Sequence, residues 1–118
     1  MSYAVAGALQ AAVYQQLRAD AVLAGTYVSL GPEDVADASD KTGAGALHDF
    51  VISVITDAAG FATAKAAAAA VSDALLGADL ALSRGRLVGL WFLRAKARRV
   101  EKADARRIDL VFRARVEG

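Results

Sequence analysis

The sequence contains no cysteine and only one proline, one histidine and one tryptophan. Without cysteine the chain can form neither a disulfide nor a thiolate ligand or nucleophile. The single histidine, His48, is followed by Asp49, which points to the opposite face of a strand and cannot orient the imidazole. No serine lies in the context of a nucleophile elbow. We therefore expect His48 to be a partly buried structural residue, and we predict no enzymatic activity and no cofactor.

Long apolar segments are also missing. The longest uncharged run, residues 2–17, is too short to span a bilayer, and no basic segment precedes it as in a secretory signal. We expect a soluble protein that is cytoplasmic after synthesis. A chain of 118 residues is long enough for one core and too short for two. The prediction is a single domain, 1–118.

A net charge of +1 conceals a strong asymmetry along the chain. Residues 84–118 carry eleven lysines and arginines against four acids, whereas residues 1–83 carry three against nine. This asymmetry favours head-to-tail self-association, or a basic surface that binds nucleic acid or an acidic protein. A merely solvated strand face is the alternative that the pattern leaves open.

Apolar periodicity predicts an α+β domain in the order α–β–β–α–β–β. It should contain a mainly antiparallel sheet of about four strands with two helices packed on it. The predicted elements are a helix from Ser2 to Ala19, strands at 26–30 and 47–56, an alanine-rich helix at 61–76, and a C-terminal β-hairpin from Arg86 to Val116. Residues 80–82 could add a short strand, and residues 31–46 form a long irregular segment.

The hairpin consists of two period-2 runs around a polar turn at residues 101–104. The hypothesis for its register has Leu93 opposite Phe112, Ala95 opposite Leu110, Ala97 opposite Ile108 and Lys96 opposite Asp109. Trp91 then shares the core side, and Phe92 shares the basic face. A run of fourteen residues spans roughly 46 Å, more than the diameter of about 35 Å expected for this chain length. We expect the hairpin to curve strongly or to project as an arm.

Two sets of charged residues are candidate contact surfaces. The basic set lies on the hairpin and is predicted to face a lumen or an acidic neighbour: Arg94, Lys96, Arg98, Arg99, Arg107, Arg113 and Arg115. The acidic set lies in the irregular segment and is predicted to contact a partner: Glu33, Asp34, Asp37 and Asp40. The acidic set lacks the residue order of a calcium loop, so we predict no metal site.

The chain resembles the tail-terminator, or tail-completion, family of long-tailed phages. The resemblance is carried by order and spacing over nearly the whole chain: a first helix ending in Leu17-Arg-Ala-Asp-Ala-Val-Leu23, the strand Phe50-Val-Ile-Ser-Val-Ile55, the link Ala58-Ala-Gly60, the helix end Val71-Ser-Asp-Ala-Leu-Leu76 and a C-terminal strand pair. The alanine- and arginine-rich composition is similar to that of GC-rich alphaproteobacterial proteins, which favours the tail terminators of alphaproteobacterial gene transfer agents within this family.

The resemblance implies a structural virion protein. Such a protein forms a ring, usually a hexamer, that caps the head-proximal end of the tail tube, stops tube growth and joins the tail to the neck or connector. The tail tube protein and a neck protein are the implied partners, and DNA passes transiently through the lumen. The alternative is a small nucleic-acid-binding domain that uses the basic hairpin, whose duplex binding should weaken steeply with salt.

Overall fold

The computed structural model describes residues 5–18, 27–37, 45–57, 60–76, 80–100 and 105–117. These residues form two helices and four strands in the predicted order α–β–β–α–β–β. The elements are α1 (Val5–Arg18), β1 (Tyr27–Asp37), β2 (Gly45–Thr56), α2 (Ala62–Leu76), β3 (Arg86–Val100) and β4 (Ala105–Glu117). The predicted α+β class and the C-terminal hairpin are confirmed.

The four strands form one antiparallel sheet in the order β1-β2-β4-β3. Alternate residues of β2 and β4 are buried beneath the helices, including Phe50, Ile52, Ile108 and Phe112. This inner face is the one that the period-2 pattern predicted. The opposite, outer face of the sheet carries most of the charged side chains.

Both helices present a stripe of buried residues to the sheet, as their periodicity predicts. In α1 the stripe contains Leu9, Val13 and Leu17, and in α2 it contains Ala64, Ala67, Ala68, Val71 and Leu75. Alanine has no side chain beyond Cβ, so α2 can lie close to the strands that it covers. Ser2 and Ala19 in the first helix prediction lie outside the described residues.

The first strand is longer than predicted. β1 continues through Asp37 and pairs with β2 on both sides of an irregularity between Leu30 and Glu33. The Gly31–Pro32 pair, which indicated the start of a loop, is accommodated there. An edge strand tolerates proline and a bulge because one of its sides needs no ladder hydrogen bonds. The prediction of an irregular segment is therefore wrong for residues 31–37 and also for residues 45–46, which begin β2, and residues 38–44 lie outside the described part.

Two further predictions need correction. Residues 80–82 form no strand, although Leu80 is buried in the core. The hairpin does not project as an arm, because β2 pairs with β4 from Gly45–Glu117 to Thr56–Arg106. The whole sheet is long instead, and the molecule measures 51 × 25 × 19 Å.

The hairpin register is confirmed on one side of a bulge and wrong on the other. Ala95, Lys96 and Ala97 lie opposite Leu110, Asp109 and Ile108, as predicted. The register shifts between Phe92 and Arg94, so that Phe92, rather than Leu93, lies opposite Phe112. One extra residue in a strand moves each side chain beyond it to the opposite face of the sheet.

Candidate assembly surface

The β3 edge, defined here as residues 91–99, is exposed along its entire length. Its partner strand β4 has buried residues at the same level, such as Ile108 and Leu110. Exposure therefore increases across the sheet from β4 to β3, and also along β3 itself, because Leu87 and Leu90 near its start are partly buried against the core. The helices cover β2 and β4 but leave the β3 edge accessible on both faces.

Three consecutive large apolar residues lie on this edge. Trp91, Phe92 and Leu93 are 48%, 44% and 37% exposed. Trp91 lies opposite Arg113 on the outer face, whereas Phe92 is on the inner face, edge-on to Phe112 with ring centroids 5.8 Å apart. The prediction that Trp91 faces the core and Phe92 the basic face is wrong, because the bulge at Leu93 inverts their facing. An exposed group of this size is typical of a contact surface.

The indole of Trp91 lies against Gly89. A Cβ atom added to Gly89 would be 2.5 and 2.6 Å from two atoms of the ring. Glycine at this position allows the ring to cover the strand, where the backbone would otherwise be open to water.

Replacing Gly89 with alanine should displace the indole of Trp91. Because that side chain is half exposed and can move, we expect a loss of stability of no more than about 1 kcal/mol. The chain has one tryptophan, so its fluorescence maximum reports on this ring alone. We expect a measurable shift in G89A and none in the control Gly7→Ala, where nothing lies within 4 Å of the added Cβ. An unchanged spectrum in G89A would contradict the contact.

The predicted basic set does not lie on a single face. Arg94, Lys96 and Arg98 are opposite Val111, Asp109 and Arg107 on the outer face. Arg99 is opposite Arg106 and so belongs to the inner side of the sheet. The outer-face members are Arg94, Lys96, Arg98, Arg107, Arg113 and Arg115. The β3 edge thus has positive charge on both of its sides.

Arg113 on this face is paired within the sheet. Its Nε and a terminal nitrogen donate hydrogen bonds of 2.8 and 2.9 Å to the two carboxylate oxygens of Asp49. The hydrogen bonds from Arg113, together with the charges of Arg113 and Arg94, outweigh partial burial and hold the pKa of Asp49 below its ordinary value. Arg113 is therefore partly neutralised before any partner arrives.

A second cluster joins Ser53, Arg107 and Asp109. The Ser53 hydroxyl donates to Asp109 at 2.6 Å, and Arg107 Nε donates to the same carboxylate oxygen at 2.8 Å. Arg98 lies 3.7 Å from the other oxygen. Burial opposes ionisation of Asp109, but the hydrogen bonds from Ser53 and Arg107 outweigh it, so its pKa is lowered.

The carboxylates of Asp49 and Asp109 should make the free energy of unfolding depend on pH. A lowered folded-state pKa means that Asp109 and Asp49 stabilise the fold above their unfolded pKa, and that this contribution is lost as the pH falls through the folded value. We expect D109N to lower the free energy of unfolding by about 1–2 kcal/mol at pH 7. The difference from the unmodified protein should shrink progressively below about pH 4.

Urea unfolding at pH 7 and pH 3 measures this effect. The control is Asp73→Asn, because Asp73 is exposed on α2. A stability difference for D109N that is the same at both pH values would contradict the assigned charge network.

The acidic set lies partly on the other edge of the sheet. Glu33, Asp34 and Asp37 belong to β1, and Asp40 is outside the described residues. Asp34 is opposite Asp49 on the outer face, whereas Glu33 and Asp37 are opposite inner-face residues of β2. Among the described residues no cluster of three or more histidines and carboxylates is arranged to hold a metal ion.

His48 is almost completely buried on the inner face, more deeply than expected. Its Nδ1 lies 3.8 Å from a carboxylate oxygen of Glu33, and neither ring nitrogen has a hydrogen-bond partner in the described part of the chain. Asp49 is on the opposite face, as predicted, and bonds to Arg113 instead. The local geometry is that of a core residue.

Within the described ranges, neither helix is long and apolar enough to cross a bilayer. The molecule thus combines a helix-covered antiparallel sheet with an exposed, basic and apolar edge strand. These are features of a component that acts through contacts with other chains.

Comparison with known proteins defines the class. The family model for tail completion protein gp17 matches residues 2–117, so the chain belongs to that family and has a structural role in a tail. Among solved structures, the chain is similar to one in "Virion of native gene transfer agent (GTA) particle". The two are 83% identical with a TM-score of 0.89, over 99% of this chain and 100% of the other. No curated protein sequence matches the chain.

Proposed function

We propose that this protein caps the head-proximal end of the tail tube in a gene transfer agent particle. It terminates tube growth and joins the tail to the neck or connector as a ring, most simply a hexamer, through whose lumen DNA passes. It assembles from the cytoplasm into the virion and acts without catalysis or a cofactor. Family membership over residues 2–117 and the 83% identical chain from a gene transfer agent virion support this role.

The observation that carries the proposal is the β3 edge. A strand of fifteen residues lies at the border of the sheet, with apolar side chains at 91–93 and positive charge beyond them. An exposed edge of this kind is a template for pairing with another chain, and basic residues discourage pairing with the wrong one. The acidic β1 edge supplies a surface of opposite sign on the same molecule.

The experiment is to measure the mass of the purified protein alone and mixed with tail tubes. We expect an oligomer up to the mass of six 12.2 kDa chains, formed in solution or on contact with a tube. Tubes that have bound it should no longer elongate when tube protein is added. A protein that stays monomeric and never binds a tube end would overturn the proposal.

The same basic surface separates this role from duplex DNA binding. Arg113 and Arg107 are already hydrogen-bonded to Asp49 and Asp109, which leaves fewer cations to neutralise phosphates. We expect the free protein to bind duplex DNA weakly at about 50 mM salt. A tight complex that weakens by orders of magnitude between about 50 and 200 mM salt would favour the nucleic-acid-binding alternative instead.

A further inference from the structure

The sheet has two open edges of opposite charge. Within the described residues, β1 pairs only with β2, and β3 pairs only with β4. After its bulge, β1 continues as a regular stretch, 33–37, that contains three acids. After its own bulge, β3 continues as a regular stretch, 94–100, that contains four basic residues. Each stretch offers a row of backbone donors and acceptors on its open side.

We propose that residues 33–37 of one copy pair with residues 94–100 of the next copy, so that the sheet continues from subunit to subunit. The occupant of the β3 edge is thus a second copy of this chain, bound by strand addition. This inference rests on the proposed ring and assigns the contact that closes it.

Strand direction is compatible with this pairing. Every neighbouring pair in the order β1-β2-β4-β3 is antiparallel, so β1 and β3 run in opposite directions. A second copy placed beside the first, with its outer face on the same side, brings its β1 antiparallel to β3. Neighbouring strands then remain antiparallel across the contact between the two copies. Because side chains alternate between faces every two residues, the outer faces of the two sheets form one continuous face.

The charges match on both faces. On the outer face, Asp34 of one copy meets the row of Arg94, Lys96 and Arg98 of the other. On the inner face, the antiparallel register that places Asp34 opposite Arg98 also places Glu33 of one copy opposite Arg99 of the other. Opposite charges across neighbouring strands stabilise the pairing, and like charges destabilise it.

Self-pairing of either edge is disfavoured for the same reason. Two β3 stretches would place basic residues against one another, and two β1 stretches would do so with acids. The favoured contact joins different patches, and repetition of such a contact generates a ring when the rotation closes. Pro32 and the two bulges confine the pairing to the regular stretches, since they interrupt each edge before the stretch begins.

Charge exchange between two variants tests the pairing. In the acidic variant, Arg94, Lys96 and Arg98 are replaced by Glu. In the basic variant, Asp34 and Asp37 are replaced by Lys. We expect each variant alone to lose at least tenfold in oligomer formation. The acidic variant has two negative edges and the basic variant two positive ones, so a mixture should regain assembly with the two chains alternating.

The matched control reverses three charges away from both edges, in R18E/K65E/R84E. These positions are exposed on α1, α2 and the turn before β3, and assembly should be unchanged. Both variants assembling normally alone, or a mixture that stays dissociated, would overturn the pairing.

Because the chain has no native cysteine, disulfide trapping provides an independent test. Three double variants are made, each of which carries Asp34→Cys together with one of Arg94→Cys, Lys96→Cys or Arg98→Cys in the same chain. We expect at least one combination to give intermolecular disulfides on mild oxidation of the assembled protein, and none from the control pair of Asp34→Cys with Lys65→Cys. Trapping in no combination would overturn the proposed register.

The outcomes separate this inference from the proposed function. If the unmodified protein caps tubes but the mixed variants neither assemble nor cross-link, the edge pairing fails and the capping role stands. If the unmodified protein never caps tubes but the exchange restores oligomers, the pairing stands and the capping role fails.

Discussion

Replacement of Phe112 by alanine is expected to lower the free energy of unfolding by about 3–5 kcal/mol, the largest stability effect of any single change considered. Phe112 is completely buried at the middle of the sheet, with Phe50 stacked on it at 5.9 Å and Phe92 edge-on at 5.8 Å. Truncation removes both ring contacts and leaves a cavity that rigid strands cannot close. For a domain whose total stability is about 5–15 kcal/mol, the variant should be close to unfolding at physiological temperature.

Urea unfolding followed by circular dichroism measures this loss. The matched control is Phe92→Ala, which removes the same side chain from the exposed neighbouring strand and should cost about 1 kcal/mol. Equal losses for the two variants would contradict the division between a covered β4 and an accessible β3 edge.

The second large effect concerns assembly rather than stability. Reversal of Arg94, Lys96 and Arg98 to Glu should reduce the yield of tailed, transfer-competent particles by at least about 100-fold. All three side chains are exposed on an edge strand, so the variant should keep its fold. Reversal also places negative charge beside Asp49 and Asp109, whose ionised forms Arg94 and Arg98 favour in the unmodified protein. We therefore expect a loss of stability of about 1–2 kcal/mol that leaves the domain folded.

Particle yield and thermal unfolding are measured together, with R18E/K65E/R84E as the charge-matched control. We expect the reversed variant to remain folded but to fail to complete tails. Normal particle yield from the reversed variant would mean that the basic face is merely solvated, which is the alternative that the sequence left open.

Much of this fold could be predicted from periodicity alone. The buried face of β2, the buried face of β4 and the stripe of α1 follow directly from spacings of two, three and four. The pairing of Lys96 with Asp109 follows from two criteria that select the same register. This register places small residues opposite large ones on the core side, and it places opposite charges across from each other on the outside. Local pattern and global structure coincide at these positions.

The errors arose where a single residue changes the count. The bulge at Leu93 exchanges the faces of the sheet on which Trp91 and Phe92 lie. Because β3 is apolar on both faces in this region, the sequence shows no polar–apolar alternation from which the bulge could be predicted. Likewise, Gly31-Pro32 reads as a loop unless the strand is known to lie at an edge. Strand position within a sheet is a long-range property that local sequence does not encode.

The candidate site was likewise only half predictable. Its basic residues could be identified from charge alone, but the partners of Arg113 and Arg107 could not. Asp49 is 64 positions from Arg113 in the chain, and Ser53 is 56 positions from Asp109. These contacts exist because β2 and β4 are neighbours, which depends on strand order. The only signal in the sequence is that Asp49 points away from the core. On the outer face of a central strand, an acid has few possible partners other than side chains of the neighbouring strands.

The proposed function requires this protein to form the ring between tail tube and neck. Electron cryomicroscopy of intact particles, with the protein marked by a small tag after Glu117, tests it most directly. We expect one ring of tagged copies at the head-proximal end of the tube, with the β3 edge of each copy against its neighbour. Tagged copies spread along the tube, located at its far end or absent from finished particles would contradict it.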